Sequence, residues 1–141
     1  MYTFIVNPAS RSGRASRIWT KIETILKEQN ILYKVYFTSF AGHGTAIAQN
    51  LTENLSSRLT LIVVGGDGTV NEVLNGLNHL DQIVLGYIPT GSGNDFAKGL
   101  KLPSDPQKAL ELILSPNGYR TVDIGVLHYA DDSIMKTRRF A

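Results

Sequence analysis

The sequence contains no cysteine, no long apolar run and little net charge. The absence of cysteine excludes disulfide bonds and thiolate metal sites, and three scattered histidines do not suggest a zinc site. No apolar run approaches the roughly 18 residues that identify a membrane-spanning helix. The net charge of +2 is too small to indicate nucleic-acid binding by itself. These absences favour a cytoplasmic protein that spans no membrane and does not bind nucleic acid.

What is present suffices for one folded domain. The 141 residues are 43% hydrophobic and 18% charged, a composition ordinary for a soluble globular protein. A chain of this length buries roughly 70% of its unfolded surface, so we expect a hydrophobic core. The apolar residues 1–6 are followed at once by Asn7 and Pro8. We therefore do not interpret them as the core of a signal peptide.

Short apolar runs alternate with segments of helical period. The runs are rich in β-branched and aromatic residues and predict strands at Tyr2–Pro8, Tyr33–Thr38, Leu59–Val64, Ile83–Pro89 and Tyr119–Tyr129. Between them, apolar residues spaced three or four apart predict helical faces at Ile18, Ile22, Ile25 and Leu26, at Ile47, Leu51 and Leu55, and at Val70, Val73, Leu74 and Leu77.

This alternation predicts an α/β fold with a mainly parallel sheet. Crossover connections between parallel strands are nearly always right-handed, so we expect helices on both faces of the sheet. Asp105 as N-cap and Pro106 at the first helical position predict another helix after the fourth strand. The run Ile134–Phe140 predicts a hairpin partner for the last strand.

Three unusual loops follow predicted strands. Ligands of open α/β sheets bind beyond the carboxyl ends of the strands, and the loops NPASRSG, GGDGT and PTGSGND all lie at such ends. Their clustering carries more weight than any one loop. No Walker A motif is present, and GSG fails as a dinucleotide fingerprint because its sixth position is Phe96.

The GGDGT loop leaves two interpretations open. In one, Thr69 and Glu72 form a capping box at the start of a helix. In the other, Gly65 and Gly66 let a phosphate approach free N–H groups at a helix N-terminus. An acid beside phosphates then calls for a cation, so Asp67 suggests Mg²⁺. We favour the phosphate interpretation because capping does not account for the two glycines.

Three longer segments carry a resemblance. VVGGDGTVNEVLNGL, IPTGSGNDFAKGL and VDIGVL, in this order, resemble the amino-terminal catalytic domain of the diacylglycerol kinase family, in its bacterial soluble branch. NPASRSG resembles the first phosphate loop of that family. The resemblance covers essentially the whole chain. It implies a three-layer αβα fold like that of NAD kinase, and phosphorylation of a lipid hydroxyl that depends on ATP and Mg²⁺.

The resemblance also implies roles for particular residues. A Mg²⁺ and water network is implied at Asp67, Asp95 and Asp123, although Asp123 taken alone fits a bulge or an edge strand. No catalytic base is implied in this chain, because the family takes that base, a glutamate, from a β-rich second domain. Nucleotide contacts are implied at Asn7, Pro8, Ala9, Ser10, Arg11, Thr38, Gly65, Gly66, Asp67, Gly68, Thr69, Val70, Asn71, Glu72 and Ser92.

The resemblance sets expectations for domains and partners. Residues 1–130 should form the nucleotide-binding domain, and residues 131–141 should begin the crossover to the second domain. Family members are longer, and a terminal hairpin leaves an unpaired strand edge, so we expect a fragment rather than a naturally short homologue. The expected partner is a lipid at a membrane surface. The lipid's identity and the oligomeric state, including a homodimer, stay open.

Two other functions remain as alternatives. An NAD kinase-like enzyme would phosphorylate a soluble nucleotide, but Asn71 and Glu72 after GGDGT, together with GSGND, argue against it. A non-catalytic nucleotide-binding module is favoured only by the lack of a second domain in this chain.

Overall fold

The computed structural model describes residues 1–91, 93–116, 125–131 and 134–140, the last two ranges by their backbone alone. The strands are β1 (Tyr2–Val6), β2 (Tyr33–Phe37), β3 (Leu59–Gly65), β4 (Ile83–Pro89), β5 (Gly125–Asp131) and β6 (Ile134–Phe140). The helices are α1 (Ser10–Glu28), α2 (His43–Thr52), α3 (Asp67–Gly76), α4 (Asp95–Gly99) and α5 (Pro106–Leu114), with a short 3-10 helix at Leu80–Gln82.

The first four strands form a parallel sheet in the order β2-β1-β3-β4. The chain places β2 on one side of β1 and then crosses over to place β3 on the other side. Strand order therefore reverses between β1 and β3, and such a point is where ligands bind in open α/β sheets. Val6 pairs with both Phe37 and Val64, so the carboxyl ends of these strands lie together at one edge.

Helices cover both faces of this sheet. The α1 and α5 helices pack on one face, against side chains that include Phe4 and Val64. The α2 and α3 helices pack on the other face, against Ile5 and Val63. Side chains of successive strand residues thus pack into the cores on opposite faces of the sheet. Burying each side chain of this kind stabilises the fold by about 1.5–3 kcal/mol. The predicted three-layer αβα fold is confirmed.

Local signals placed most helices correctly. Asp105 caps α5 by accepting the N–H of Lys108 at 3.0 Å, as Pro106 begins the helix. The prediction that α2 reaches Leu55 is wrong, since α2 ends at Thr52. The Thr52 hydroxyl bonds back to the carbonyl of Ala48 at 2.7 Å, a local bond that competes with the helical ladder.

The β5 and β6 strands form an antiparallel pair, in which Asp131 pairs with Ile134. The predicted hairpin is therefore confirmed. Residues 119–124 of the predicted last strand lie outside the described residues. The division of the chain near residue 130 into two domains stays a prediction. In the part of the chain that is described, no helix has the length and apolarity needed to cross a membrane.

Candidate functional site

The predicted loops meet at the carboxyl edge of the parallel sheet. The N–H of Asn7 bonds to the carbonyl of Val64 at 3.0 Å, and that of Thr90 bonds to the carbonyl of Gly65 at 3.0 Å. Thr38 donates to the last residue of β1 at 2.9 Å. These bonds continue the sheet by one residue beyond each strand, so they fix where all three loops begin.

Two side-chain bonds then tie the first loop to the other loops. The Asn7 amide donates to the Thr69 hydroxyl at 3.1 Å, and the hydroxyls of Ser10 and Thr90 lie 2.9 Å apart. Thr69 and Thr90 are both buried. The sequence separations are 62 and 80 residues, so these contacts depend on the fold rather than on local pattern.

The first loop and the first turn of α1 carry an unusual backbone that interrupts the helix. Ala9 is right-handed, whereas Arg11, Ser12 and Gly13 have φ angles of 53°, 54° and 86°. Left-handed backbone costs roughly 1–2 kcal/mol for a residue other than glycine, so Arg11 and Ser12 are strained. Such strain concentrates at ligand-binding segments. Turns that combine right- and left-handed residues direct successive N–H groups into a concavity that binds anions.

The two glycines before α3 are present for different physical reasons. A Cβ at Gly65 would lie 2.7 Å from the Thr69 hydroxyl, so glycine is required there by packing alone. Gly66 has an extended backbone (φ −91°, ψ −175°), and a Cβ on it would lie 3.6 Å from the Ser10 hydroxyl. The protein itself therefore tolerates a side chain at Gly66, and only a ligand would exclude one.

The N-terminus of α3 is suited to a phosphate. Its N-cap is Gly66, which has no side chain with which to cap the helix. The first N–H groups of any α-helix lack partners within the helix, and the helix dipole makes that end positive. Gly68, in the first turn, is exposed. This helix N-terminus follows β3 at the carboxyl edge of the sheet, where the first loop also lies, and helix N-termini of this kind suit anions.

The capping-box interpretation is wrong. Thr69 lies inside the first turn of α3 rather than at its N-cap, and its hydroxyl is engaged by the first loop. The Glu72 carboxylate accepts the N–H groups of Gly42 at 2.9 Å and Gly44 at 3.2 Å. Glu72 therefore caps α2, because the tertiary packing brings the N-terminus of α2 against α3.

Asp67 joins the second loop to the third. Its carboxylate accepts the N–H groups of Asp95 at 2.8 Å and Phe96 at 3.2 Å, so it caps α4. The Tyr87 hydroxyl lies 3.5 Å from the same carboxylate and donates to the Gly65 carbonyl at 3.1 Å. A carboxylate accepts about four hydrogen bonds, which leaves room for one further donor or cation.

Tyr87 is held in its neutral form. Burial raises the pKa of its phenol above the ordinary value, and the negative charge of Asp67 raises that pKa further. The hydroxyl therefore stays protonated and serves as a donor. Nothing in the sequence distinguishes Tyr87 from a core aromatic of an apolar strand, so sequence reasoning missed it.

The predicted metal ligands are only partly brought together. Asp95 is exposed, and its backbone rather than its side chain meets Asp67. Asp123 and Ser92 lie outside the described residues. Within the described ranges, no group of three or more His, Asp or Glu side chains is arranged to hold a metal ion. The Mg²⁺ ligand set therefore stays a prediction.

The other predicted nucleotide contacts differ in exposure. Pro8 is half-buried, and Ala9 and Asn71 are exposed at or near the carboxyl edge. The side chain of Val70 is fully buried between the sheet and its helices, so Val70 can contribute only its backbone.

The sequence suggests Asn94 or Asp95 as the cap of a short helix, and Asn94 is the N-cap residue of α4, although its side chain caps no N–H group. It has left-handed backbone with φ 51°, and its side-chain oxygen is buried with no hydrogen-bond partner among the described residues. A Cβ at Gly91 would lie 3.2 Å from that oxygen and 3.8 Å from the Cα of Gly66. The third loop therefore packs closely against the second, and Asn94 leaves an unused acceptor there.

The fold and these loops define an αβα protein whose three loops meet at the switch point of its sheet. The family model of the diacylglycerol kinase catalytic domain matches residues 1–127. The chain belongs to this family.

Individual relatives agree with that membership. The diacylglycerol kinase of Staphylococcus carnosus is 35% identical over 88% of this chain and 40% of its own length. Sphingoid long-chain bases kinase 1 of Arabidopsis thaliana is 33% identical over 89% of this chain and 18% of its own. A diacylglycerol kinase structure from Bacillus anthracis superposes with a TM-score of 0.64 at 33% identity, covering 79% of this chain and 38% of the other. The chain thus spans about two fifths of the length of its bacterial relatives.

Proposed function

We propose that this chain binds the nucleotide for phosphoryl transfer from ATP to a lipid hydroxyl, such as that of diacylglycerol. The observation that carries the proposal is the uncapped N-terminus of α3 at Gly66, which lies beside the strained first loop: a Cβ on Gly66 would be 3.6 Å from the Ser10 hydroxyl. Both elements lie at the carboxyl edge of the sheet. Phosphoryl transfer requires positioning and charge neutralisation more than covalent chemistry, and backbone N–H groups supply both.

The residues present fit a Mg²⁺ ion as well. Mg²⁺ keeps several waters and is held by one or two carboxylates together with phosphate oxygens. Asp67 would hold it, since its carboxylate has an acceptor position left and lies in the first turn of α3. Asp95 and Asp123 are the further candidates. When bound, the ion would offset the negative charge of the phosphates. Tyr87 and the N–H groups of α4 keep the Asp67 carboxylate oriented for this role.

We further propose that the general base comes from outside the described residues. Asp67 and Glu72 each accept two backbone N–H bonds, so neither is placed as a free base. Asp95 is exposed and sits at the start of a short helix. This division would make the chain the nucleotide-binding half of the enzyme.

A lipid acceptor is favoured over a soluble nucleotide. The named relatives are diacylglycerol and sphingoid-base kinases, and the GSGND run is part of the same resemblance. The groove between α1 and α5 also suits an amphiphile. It has a volume of about 470 Å³, an apolar floor that includes Ile18 and Ile22, and a rim that includes Arg14, Arg17 and Lys21. We propose that this basic side lies towards the membrane surface.

Two measurements test the proposal. Calorimetric titration of the purified protein with ATP, with and without Mg²⁺, should show binding that Mg²⁺ strengthens. A radiolabelled-ATP assay in mixed micelles should show transfer to diacylglycerol when the assayed protein includes a general base, and almost none to NAD. Without a positioned base, turnover should fall by roughly 10²–10⁴. Transfer to NAD in preference to lipid would favour the soluble nucleotide kinase instead.

A further inference from the structure

The loop after β2 holds an exposed aromatic ring. Phe40 is 65% exposed, and its ring stacks on the imidazole of His43 with centroids 4.4 Å apart and planes 7° apart. A single exposed apolar residue is ordinary on a protein surface. A ring held parallel to a second ring differs from that case, because the imidazole fixes its orientation while the side chain stays largely exposed.

The pair is held by a set of backbone contacts. The Nδ1 atom of His43 accepts the N–H of Ser39 at 2.8 Å, and the N–H of His43 donates to the carbonyl of Phe40 at 3.1 Å. The Glu72 carboxylate binds the N–H groups on both sides of His43. The loop is thereby fixed to α3, the same helix whose N-terminus is the proposed phosphate site.

The position of the pair matches the geometry of nucleotide binding in open sheets. In such sheets the phosphates lie at the first strand-to-helix turn, and the nucleoside extends over the carboxyl end of the neighbouring strand. Here the first turn follows β1, and β2 is the neighbouring strand at the sheet edge. Thr38 follows β2 and bonds to β1, and Phe40 comes two residues later.

We propose that the exposed ring of Phe40 stacks on the purine base of the nucleotide, with His43 supporting the ring from behind. This inference rests on the proposed function, since it assigns the base of the same ATP whose phosphates bind at Gly66 and the first loop. Glu72 is then a positioning residue, because it fixes the loop without touching the ligand.

The experiment compares a ligand that has a base with one that lacks it. ATP and inorganic tripolyphosphate, each with Mg²⁺, are titrated into the purified wild-type protein and into Phe40→Ala and Phe40→Leu. Aromatic stacking on a base predicts a loss of ATP affinity of roughly 5- to 100-fold in both variants. Tripolyphosphate affinity should be unchanged. Phe40→Leu keeps the apolar contact with His43 but removes the π face, and Phe40→Trp should retain ATP affinity.

Leu32→Ala is the matched control. Leu32 is 75% exposed and precedes β2 at the opposite end of the strand, so ATP affinity should not change. Equal ATP affinity in wild type and Phe40→Leu would overturn the proposal that Phe40 stacks on the purine base. Loss of binding to anionic phospholipid vesicles, with ATP affinity intact, would overturn it too and identify Phe40 as a membrane contact. If wild type bound neither ATP nor tripolyphosphate, the proposed function itself would fail.

Discussion

The Asp67 carboxylate accepts the backbone N–H of Asp95 at 2.8 Å, across 28 residues of sequence. Two acids that the family resemblance implies as joint Mg²⁺ ligands are thus related differently: Asp67 caps α4, and Asp95 is the first residue of that helix. Asp67 thus holds the start of α4 against the N-terminus of α3. The bond makes the relative position of the two loops depend on one charged side chain.

Asp67→Asn should therefore lower stability, and it should lower turnover when assayed in an enzyme that contains the general base. Turnover should fall on the order of 10²–10⁴, or about 3–5 kcal/mol of barrier, because the proposed Mg²⁺ site loses its carboxylate. Asparagine has only one acceptor oxygen, so one N–H of α4 loses its partner and the melting temperature should drop by about 2–8 °C. Steady-state kinetics and a thermal melt on the same preparation measure the two effects.

Asp81→Asn is the control for that variant. Asp81 is exposed in the 3-10 helix before β4, at the opposite edge of the sheet, so neither turnover nor melting temperature should change. Near-normal turnover in Asp67→Asn, with only the melting temperature lowered, would reduce Asp67 to a structural cap.

Gly66→Val should abolish ATP binding and leave the fold intact. The backbone of Gly66 is extended, a conformation that β-branched residues favour, and the nearest atom to a new Cβ is 3.6 Å away. The added side chain would occupy the space where a phosphate approaches the N–H groups of α3. Circular dichroism and calorimetry with ATP and Mg²⁺ separate folding from binding.

Gly99→Ala provides the comparison. A Cβ at Gly99, the last residue of α4, would have no atom within 4 Å beyond its chain neighbours and its own helix backbone, so ATP affinity should be preserved. Unchanged ATP affinity in folded Gly66→Val would mean that no phosphate approaches this backbone, and the phosphate site would have to be sought elsewhere.

Hydrophobic periodicity, together with turn and cap residues, predicted most of the fold from sequence. Apolar runs such as Leu59–Val64, buried on both faces, indicated central parallel strands, and Asp105 with Pro106 indicated a helix start. These signals are local, so a single sequence carries them. The loops of the site were found for the same reason, since glycines and acids directly after buried strands are visible without a structure.

The partners of the side chains were not predictable in this way. Glu72 and Thr69 match a capping box in sequence, yet Glu72 bonds to Gly42 and Gly44, about 30 residues earlier. That choice is made by the close packing of α2 on α3, where a Cβ at Gly76 would lie 2.2 Å from the Thr45 carbonyl oxygen. The sequence shows which groups seek hydrogen bonds, but tertiary packing decides which partner each group finds.

Glu72 should accordingly behave as a clamp rather than as a base. Glu72→Ala leaves the N–H groups of Gly42 and Gly44 without their acceptor, which should cost about 1–3 kcal/mol of unfolding free energy. The KM for ATP should rise because the Phe40 loop loosens, while kcat should fall less than roughly 10-fold, well short of the loss expected for a base. Urea unfolding and steady-state kinetics with varied ATP give these quantities.

Glu72→Gln refines the same prediction. Its single acceptor oxygen can bind only one of the two N–H groups, so its stability should lie between wild type and Glu72→Ala. A fall in kcat of roughly 10²–10⁴ in both variants at unchanged stability would instead identify Glu72 as the general base.

Tyr87 should make stability depend on alkaline pH. Its pKa in the folded protein is raised, first by burial and then by the charge of Asp67, above the value of about 10 in an unfolded chain. Below pH 10 the phenol is protonated in both states. As the pH rises past about 10, the unfolded state releases the proton while the folded state keeps it, so the free energy of unfolding must decline.

Tyr87→Phe should change this curve in two ways. At pH 7 it loses the hydrogen bond to the Gly65 carbonyl and should be less stable by about 1 kcal/mol. Above pH 10 its free energy of unfolding should decline less steeply than that of wild type. The two plots of this free energy against pH, each measured by urea unfolding, should therefore converge. Tyr36→Phe, at an exposed tyrosine of β2, should leave the alkaline decline as it is in wild type. Parallel curves for wild type and Tyr87→Phe between pH 9 and 11, roughly one unit either side of the unfolded pKa, would show that the phenol is not held by Asp67 and Gly65.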